Sequence, residues 1–142
     1  MNDHDRFNLK NYSFWIDDQV RFSDLDPLGH VNNNSVGQYF ENARAALYAK
    51  ITPQWPYGDA LFVLAHTAID FRYELHYPAP IRIGSGVLKM GHTSITIANG
   101  LFHKDRGVAY GESVSVLIDN KTRKPIEILA EMRTFIKPFI TK

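Results

Sequence analysis

Residues 23–35 read SDLDPLGHVNNNS, a polar segment that joins an alternating stretch to a helical one. The polar segment holds two carboxylates, a histidine and three consecutive asparagines, together with a proline and a glycine. Asp, Asn, Pro and Gly favour turns, so the sequence predicts a loop here. A loop of this kind buries little apolar surface. It is therefore either a solvated turn or the place where the protein performs its chemistry.

The stretches on both sides of the polar segment have clear periods. Residues 14–22, FWIDDQVRF, alternate and predict a half-buried strand with Phe14 and Phe22 on one face. The period then becomes helical, which predicts one helix from about Ser35 to Lys50, with Ser35 and Gln38 as its capping box. The two prolines at positions 53 and 56 end it. The apolar face of this helix consists of Val36, Tyr39, Phe40, Ala43, Leu47 and Ile51.

From residue 61 onward the alternation predicts strands. Residues 61–75 form the first of them, residues 76–80 (HYPAP) turn the chain, and residues 81–91 run back. Residues 91–103 and 108–119 follow, joined by a hairpin turn at 104–107 (KDRG), and residues 124–136 predict a short C-terminal helix. We therefore expect an α+β fold in which an antiparallel sheet curls around one long helix, within a single domain over residues 1–142.

The composition is that of an ordinary globular protein. The chain has 142 residues, is 44% hydrophobic and carries a formal net charge of +1, which gives no sign of nucleic-acid or membrane binding. The lack of cysteine excludes disulfides, thiolate metal sites and a cysteine nucleophile. The first ten residues lack the apolar stretch of a signal peptide, so a cytoplasmic location is expected.

A family resemblance rests on two quoted stretches, DLDPLGHVNN at residues 24–33 and YFENAR at residues 39–44. Their aspartate-rich turn, glycine, Val-Asn-Asn and Phe-Glu-x-Ala-Arg spacing resemble the 4-hydroxybenzoyl-CoA thioesterase family. Weaker similarity continues through residues 69–71 and 107–119. The resemblance implies the hotdog fold, an antiparallel sheet wrapped around one long central helix. It also implies hydrolysis of an acyl thioester, such as an acyl-CoA, to a free acid and a thiol.

The same resemblance implies roles for residues of the polar segment. Asp26 matches the family's catalytic aspartate, as nucleophile or general base, although it could also merely cap a turn. The backbone N–H of Asn33 matches the amide that polarises the thioester carbonyl, and the first amides of a helix are unpaired. Asn32 and His30 are expected to orient Asp26 or a water, although His30 could equally be a solvated loop residue. Asp24 could act on Asp26 through its like charge, but capping a loop amide is the favoured interpretation.

Asn32 is also a candidate for substrate binding, together with further residues. Val36 stands where the family usually has an aromatic residue that lines the acyl site, so the shape of this pocket is expected to differ. Three cations could contact the phosphates of coenzyme A, namely Arg72, Arg82 and Lys89. Glu41 and Arg44 are predicted to pair on the helix, which leaves Glu41 as a remote catalytic candidate. No metal or cofactor is expected, because the remaining histidines lack metal-ligand spacing; they are His4, His66, His76, His92 and His103.

Two alternatives to hydrolysis remain. The first is a hotdog protein that binds an acyl thioester without hydrolysing it, against which the presence of Asp26 argues. The second is a hotdog dehydratase or hydratase, which ranks last because no such motif occurs. The acyl group and its carrier, coenzyme A or acyl carrier protein, stay open. A homodimer or a tetramer of dimers is expected, because hotdog sheets pair edge to edge and an exposed edge strand needs protection.

Overall fold

The structure, a computed structural model, describes residues 2–141 except for the side chains of Asp3 and His4. Its helices and strands are α1 (Asp3–Arg6), β1 (Phe14–Gln19), α2 (Asn33–Ile51), β2 (Ala60–Phe71), β3 (Pro80–Met90), β4 (Ser94–His103), β5 (Arg106–Asp119) and α3 (Ala130–Ile136). The strands form one antiparallel sheet in the order β1-β3-β4-β5-β2. The predicted α+β class, with one long helix and an antiparallel sheet, is confirmed.

The position of β2 differs from the prediction. We expected residues 76–80 to turn β2 back onto the next strand, but β2 lies at the edge of the sheet and pairs with β5. Residues 72–79 instead carry the chain past β5 and β4 to β3. Leu75 anchors this connection, because it is buried and its carbonyl accepts the Val31 N–H at 2.8 Å. Alternation identifies a strand but not its partner, and strands that follow one another in sequence are neighbours in only about two-thirds of cases.

The helix α2 begins two residues earlier than predicted. Its N-cap is Asn32, whose Oδ1 accepts the N–H of Asn34 at 2.8 Å. The capping box predicted at Ser35 is wrong, because Ser35 lies inside the helix and its hydroxyl donates to the Asp24 carbonyl at 3.2 Å. Asparagine caps a helix as well as serine does, so a run of polar residues leaves the start ambiguous. The helix ends at Ile51, one residue after the predicted end at Lys50 and shortly before Pro53.

The apolar face predicted for α2 is buried against the sheet. All six of its residues are at most 4% exposed: Val36, Tyr39, Phe40, Ala43, Leu47 and Ile51. The ring of Phe40 lies so close to β5 that a Cβ added at Gly111 would be 2.9 Å from two of its carbons. The contact between helix and sheet therefore requires glycine at this position of β5.

Adding a methyl group at Gly111 is expected to destabilise the protein. In Gly111→Ala the new Cβ overpacks a ring that is 1% exposed and cannot move aside, which typically costs about 1–3 kcal/mol of unfolding free energy. Gly37→Ala is the matched control, because its Cβ would meet only Ile69 Cδ1 at 3.9 Å and alanine favours a helix by up to about 1 kcal/mol. Urea denaturation of both variants tests this, and an unchanged midpoint for Gly111→Ala would contradict it.

The opposite face of the sheet is covered by the N-terminal segment. The buried residues on this face are Tyr12, Ala98, Phe102 and Tyr110, and against them pack Phe7, Leu9, Trp15 and Leu88. The Tyr12 ring occupies the space above Gly84 and Gly100, where an added Cβ would approach it to 2.7 Å. No helix of the described residues is long and apolar enough to cross a membrane.

Three predicted elements are shorter in the structure. β1 ends at Gln19, and Phe22, expected on its buried face, lies in a 3₁₀ turn and is 74% exposed. β2 ends at Phe71 rather than residue 75. The C-terminal helix begins only at Ala130, because residues 126 and 128 use their N–H groups to bond to Leu117 and His92. In each case the backbone leaves its regular path to make a tertiary hydrogen bond or turn, which local periodicity does not record.

Candidate active site

The polar segment folds into a closed turn anchored at both ends. The Asp26 N–H donates to the His30 carbonyl and the Gly29 N–H donates to the Asp26 carbonyl, both at 3.1 Å. Gly29 has a φ of +88°, a conformation that glycine adopts at no steric cost. The Asn32 N–H donates to the Asp24 carbonyl at 2.9 Å, which ties the turn to the start of α2. The side chains of residues 24–33 are therefore presented from a hydrogen-bonded frame.

Asp24 is buried in this frame. Its Oδ2 accepts the hydroxyl of Tyr39 at 2.5 Å and the N–H of Arg21 at 2.8 Å. Burial is the largest cause that raises the pKa of Tyr39 well above its ordinary value, and the hydrogen bond to Asp24 adds to it. Tyr39 thus remains a hydroxyl donor at neutral pH. Since one oxygen of Asp24 joins α2 to the loop before it, this carboxylate has a structural role.

Asp26 is half-buried and differently placed. Its Oδ1 accepts the Leu28 N–H at 2.9 Å, and its Oδ2 lies 3.4 Å from Nδ2 of Asn32, which donates to it. The other end of the Asn32 amide caps α2, so the amide nitrogen is directed at Asp26. Asn32 thereby connects the carboxylate to the first turn of the helix. A carboxylate can accept about four hydrogen bonds, so Asp26 retains capacity for a further donor.

His30 does not hydrogen-bond to Asp26. Its Nδ1 lies 2.9 Å from the Val31 carbonyl, so this nitrogen carries the proton and donates. That hydrogen bond is the main cause that raises the pKa of His30 above 6.5. Partial desolvation opposes the rise, while the negative charges of Asp26 and Glu74 add to it. The imidazole is therefore an additional positive charge beside Asp26 in weakly acidic solution.

The protonation of His30 can be followed directly. We expect its titration midpoint, measured by NMR on the ring Cε1–H, to lie above 6.5 in the folded protein. Because the pKa of His30 is raised in the folded state, protonated His30 stabilises the fold. This stabilisation is complete below the pKa of the unfolded state and is lost as pH rises through the pKa of the folded state. Glu74→Gln removes one of the negative charges and should lower the midpoint. A wild-type midpoint at or below 6.5 would contradict this geometry.

A cleft of about 240 Å³ lies next to the start of α2. Its apolar lining consists of Val31, Val36, Phe71, Leu75 and Val108, and its polar lining of His30, Asn33, Arg72, Tyr73 and Glu74. Asn33 is the first residue of α2, and no acceptor among residues 2–141 bonds to its backbone N–H. The cleft thus combines an apolar wall with an unpaired helix N-terminal amide.

The structure brings together four of the six residues predicted for the site. His30, Asn33, Val36 and Arg72 line the cleft. Asp26 and Asn32 do not line it; they contact each other on the turn beside it. Val36 is 4% exposed and belongs to both the core and the cleft wall.

The predicted ion pair on α2 is wrong. Glu41 is exposed, whereas Arg44 is only 5% exposed. Burial raises the pKa of Tyr48, and the positive charge of nearby Arg44 opposes that rise. Arg44 lies in the buried part of the helix surface and Glu41 in solvent, so the two side chains do not pair. Among the residues with described side chains, no group of three or more His, Asp or Glu could hold a metal ion. His4 falls outside those residues.

Two polar cleft residues were missed by the sequence interpretation. Tyr73 and Glu74 were assigned to a continuing strand, but they follow β2 and turn towards the start of α2. The signal that could have found them is the proline pair at 78 and 80, which indicates a connection rather than a tight hairpin.

Comparison with known proteins agrees with the family resemblance of the sequence. The model of one family, the thioesterase-like superfamily, matches residues 20–136, which include the polar segment and α2. The uncharacterized protein YsmA from Bacillus subtilis strain 168 is 28% identical over 87 residues. That similarity covers 61% of this chain and 59% of YsmA, so the match spans less than two thirds of that relative.

Solved structures show the same fold. A thioesterase from Thermus thermophilus, in a crystal structure with coenzyme A and zinc, is 27% identical. It has a TM-score of 0.82, and the match covers 92% of this chain and 96% of that one. A predicted thioesterase from Bacillus stearothermophilus is 24% identical, with a TM-score of 0.84 over 91% and 97% of the two chains. Likeness over nearly the whole chain confirms the predicted hotdog fold.

Proposed function

Because this chain belongs to the thioesterase-like superfamily, we propose that it hydrolyses acyl thioesters to a free carboxylic acid and a thiol. The observation that supports this best is the arrangement around the N-cap Asn32. On one side its side chain donates to the Asp26 carboxylate, and on the other the unpaired N–H of Asn33 opens α2. A carboxylate and an amide donor are the two groups that attack on a thioester carbonyl needs.

The Asn33 amide is the proposed oxyanion donor. When a nucleophile adds to the thioester carbonyl, the carbonyl oxygen gains negative charge. An unpaired N–H at the positive end of a helix dipole stabilises such a charge, and it needs no reorganisation to do so. The substrate carbonyl would therefore lie at Asn33, with its acyl or pantetheine portion against the apolar wall that includes Val36.

Asp26 supplies the carboxylate by one of two routes. As nucleophile, its oxygen bonds to the carbonyl carbon, the C–S bond breaks and the thiolate leaves and takes a proton from solvent; water then cleaves the acyl-aspartyl anhydride. As general base, Asp26 takes a proton from water while the water oxygen bonds to the carbon. The tetrahedral intermediate then loses the thiolate, which receives that proton. Both routes return the free carboxylate.

Neighbouring residues have supporting roles in this proposal. The Asn32 amide donates a long hydrogen bond, at 3.4 Å, to one oxygen of Asp26 and so favours one orientation of the carboxylate. His30, with its raised pKa, adds positive charge beside the developing oxyanion. Arg72 lies at the polar part of the cleft, where the carrier of the acyl group would pass.

A second subunit is part of the proposal, because Asp26 does not line the cleft of a single chain. Among residues 2–141, no strand pairs with the outer side of the edge strand β2, and its residues 64–68 are exposed. We expect two such edges to pair and bring the turn of one chain towards the cleft of another. Sedimentation at micromolar concentration should give a homodimer or a tetramer of dimers. A monomer would contradict this arrangement.

Binding without hydrolysis is the second candidate function. It is favoured by one observation: the cleft of the single chain contains Asn33 and Arg72 but not the Asp26 carboxylate. A series of acyl thioesters of increasing chain length, each on coenzyme A and on acyl carrier protein, separates the two functions. Mass spectrometry should detect the free acid for the preferred substrate. Bound but intact thioester across the whole series would favour the binding protein.

A further inference from the structure

Two arginines flank one tyrosine at the rim of the cleft. The Cζ atom of Arg106 lies 3.4 Å from the centre of the Tyr73 ring, and that of Arg72 lies 5.5 Å from it. Arg72 also stacks on Phe7, with 4.5 Å between Cζ and the ring centre. Stacking on aromatic rings holds a guanidinium in one orientation while leaving its N–H groups free to bond.

The backbone fixes this cluster where β2 and β5 meet. The N–H groups of Arg72 and Tyr73 both donate to the carbonyl of Val108, at 2.9 and 3.1 Å. Arg72 directly follows the end of β2 and Arg106 begins β5, so the two arginines come from the two sides of one strand pairing. The backbone of Arg72 and Tyr73 is thus held to β5 by hydrogen bonds.

Two carboxylates border the cluster but have partners elsewhere: Asp70 pairs with Arg6, and Glu74 lies 3.5 Å from Nε2 of His76. Among the described side chains, neither Arg72 nor Arg106 forms an ion pair with a carboxylate, although both are exposed. The positive potential of the two arginines is visible in the pKa of the ring that they share. Arg106 first and then Arg72 lower the pKa of Tyr73 below its ordinary value, because both guanidiniums lie against its ring and favour the phenolate.

We propose that Arg72, Arg106 and Tyr73 form an anion site that holds a phosphate group of the thioester's carrier. This inference rests on the proposed function, since it places the carrier end of the substrate at the rim and the reacting end at Asn33. A planar guanidinium binds two phosphate oxygens at once, and two guanidiniums fixed on one ring are already oriented to do so. The phosphate belongs either to the nucleotide of coenzyme A or to the pantetheine linkage that coenzyme A shares with acyl carrier protein.

The chain offers a matched control in Arg82. This arginine also stacks on an aromatic ring, with 4.4 Å between its Cζ and the Trp15 ring centre. Its Nε, however, lies 3.5 Å from Oδ1 of Asp17, so its charge already has a partner. Arg82 was one of the three cations expected near the phosphates of coenzyme A, but it does not line the cleft and is not part of the proposed site. Removing it tests whether any effect of Arg106 is merely the loss of one positive charge.

Calorimetric titration with coenzyme A and with pantetheine tests the site without requiring turnover. Arg106→Ala should weaken coenzyme A binding about 10-fold, the typical result of losing a hydrogen bond to a charged group. Pantetheine has no phosphate, so Arg106→Ala should bind it as the wild type does. Arg82→Ala should leave the affinity for coenzyme A within about twofold. Equal losses in Arg106→Ala and Arg82→Ala, no loss in Arg106→Ala, or no wild-type binding of coenzyme A would overturn the site.

A third ligand, 3′-dephospho-coenzyme A, distinguishes the source of the phosphate. If it binds the wild type more weakly than coenzyme A does, and Arg106→Ala abolishes that difference, the site holds the 3′-phosphate. If Arg106→Ala weakens both ligands equally, the site holds the phosphates nearer the pantetheine. Tyr73→Phe should retain the stacked arginines and the affinity, whereas Tyr73→Leu should lose both.

The outcomes also separate this inference from the proposed hydrolysis. Binding that depends on Arg106, in a protein that cleaves no thioester, would leave the anion site standing and remove the hydrolase. If the protein cleaves thioesters but Arg106→Ala binds coenzyme A as the wild type does, the hydrolase stands and the anion site is wrong.

Discussion

Asp26→Asn is expected to lower kcat/KM by about 10²- to 10⁴-fold, on the acyl thioester that the wild type cleaves best. An amide can act neither as a nucleophile that forms an anhydride nor as a base that takes a proton from water. The fold should survive, because the asparagine oxygen can still accept the Leu28 N–H that now bonds to Oδ1. The contact with Asn32, at 3.4 Å, is long and contributes little to stability.

Two other variants separate Asp26 from its neighbours. His30→Ala should lower the rate less, because water can partly replace a group that orients or adds charge. Asn33→Ala should lower it little, since the proposed donor is the backbone N–H, which alanine keeps. Rates can be followed with a thiol reagent, because the chain contains no cysteine to react with it. Turnover like that of the wild type in Asp26→Asn would shift attention to Glu41, which is exposed on α2.

Asp24→Ala is expected to lower the free energy of unfolding by about 2–4 kcal/mol, with its main effect on stability. The substitution removes the acceptor for the Tyr39 hydroxyl and for the Arg21 N–H. Tyr39 is 2% exposed, so its hydroxyl would be left without a partner in the core. Urea denaturation of the wild type and the variant measures the loss.

A double-mutant cycle assigns that loss to the hydrogen bond with Tyr39. Asp24→Ala should cost much less in a Tyr39→Phe background, where no buried hydroxyl remains to be satisfied. Asp24→Asn keeps an oxygen acceptor and should lose less than Asp24→Ala. If Asp24→Ala were as stable as the wild type, the structural role of this carboxylate would be wrong.

The local features of the fold could be predicted from the sequence. Helical spacing identified the apolar residues on the sheet-facing side of α2, because a helix that covers a sheet must present one continuous apolar stripe. The pairing of β2 with β5 could not be predicted. Alternation is the same whichever neighbour a strand has, and the tertiary contact of Leu75 with Val31 decides the path.

The same limit explains what was found and missed in the site. Asp26, His30, Asn32 and Asn33 are close in sequence, so one motif contained them all. Tyr73 and Arg106 are distant in sequence and meet only because β2 pairs with β5. Asp24 and Asp26 also carry the same side chain two positions apart. Only the contacts with Tyr39 and Asn32 show that the first is structural and the second is left available.

The most direct test of the central claim is thiol release from a coenzyme A thioester, with wild type and Asp26→Asn measured at equal concentration beside buffer alone. Melting curves of both proteins establish that each is folded. We predict release by the wild type well above the uncatalysed rate, and release by the folded Asp26→Asn variant reduced by at least about 10²-fold. A wild type that binds the thioester but releases thiol no faster than buffer would contradict the claim.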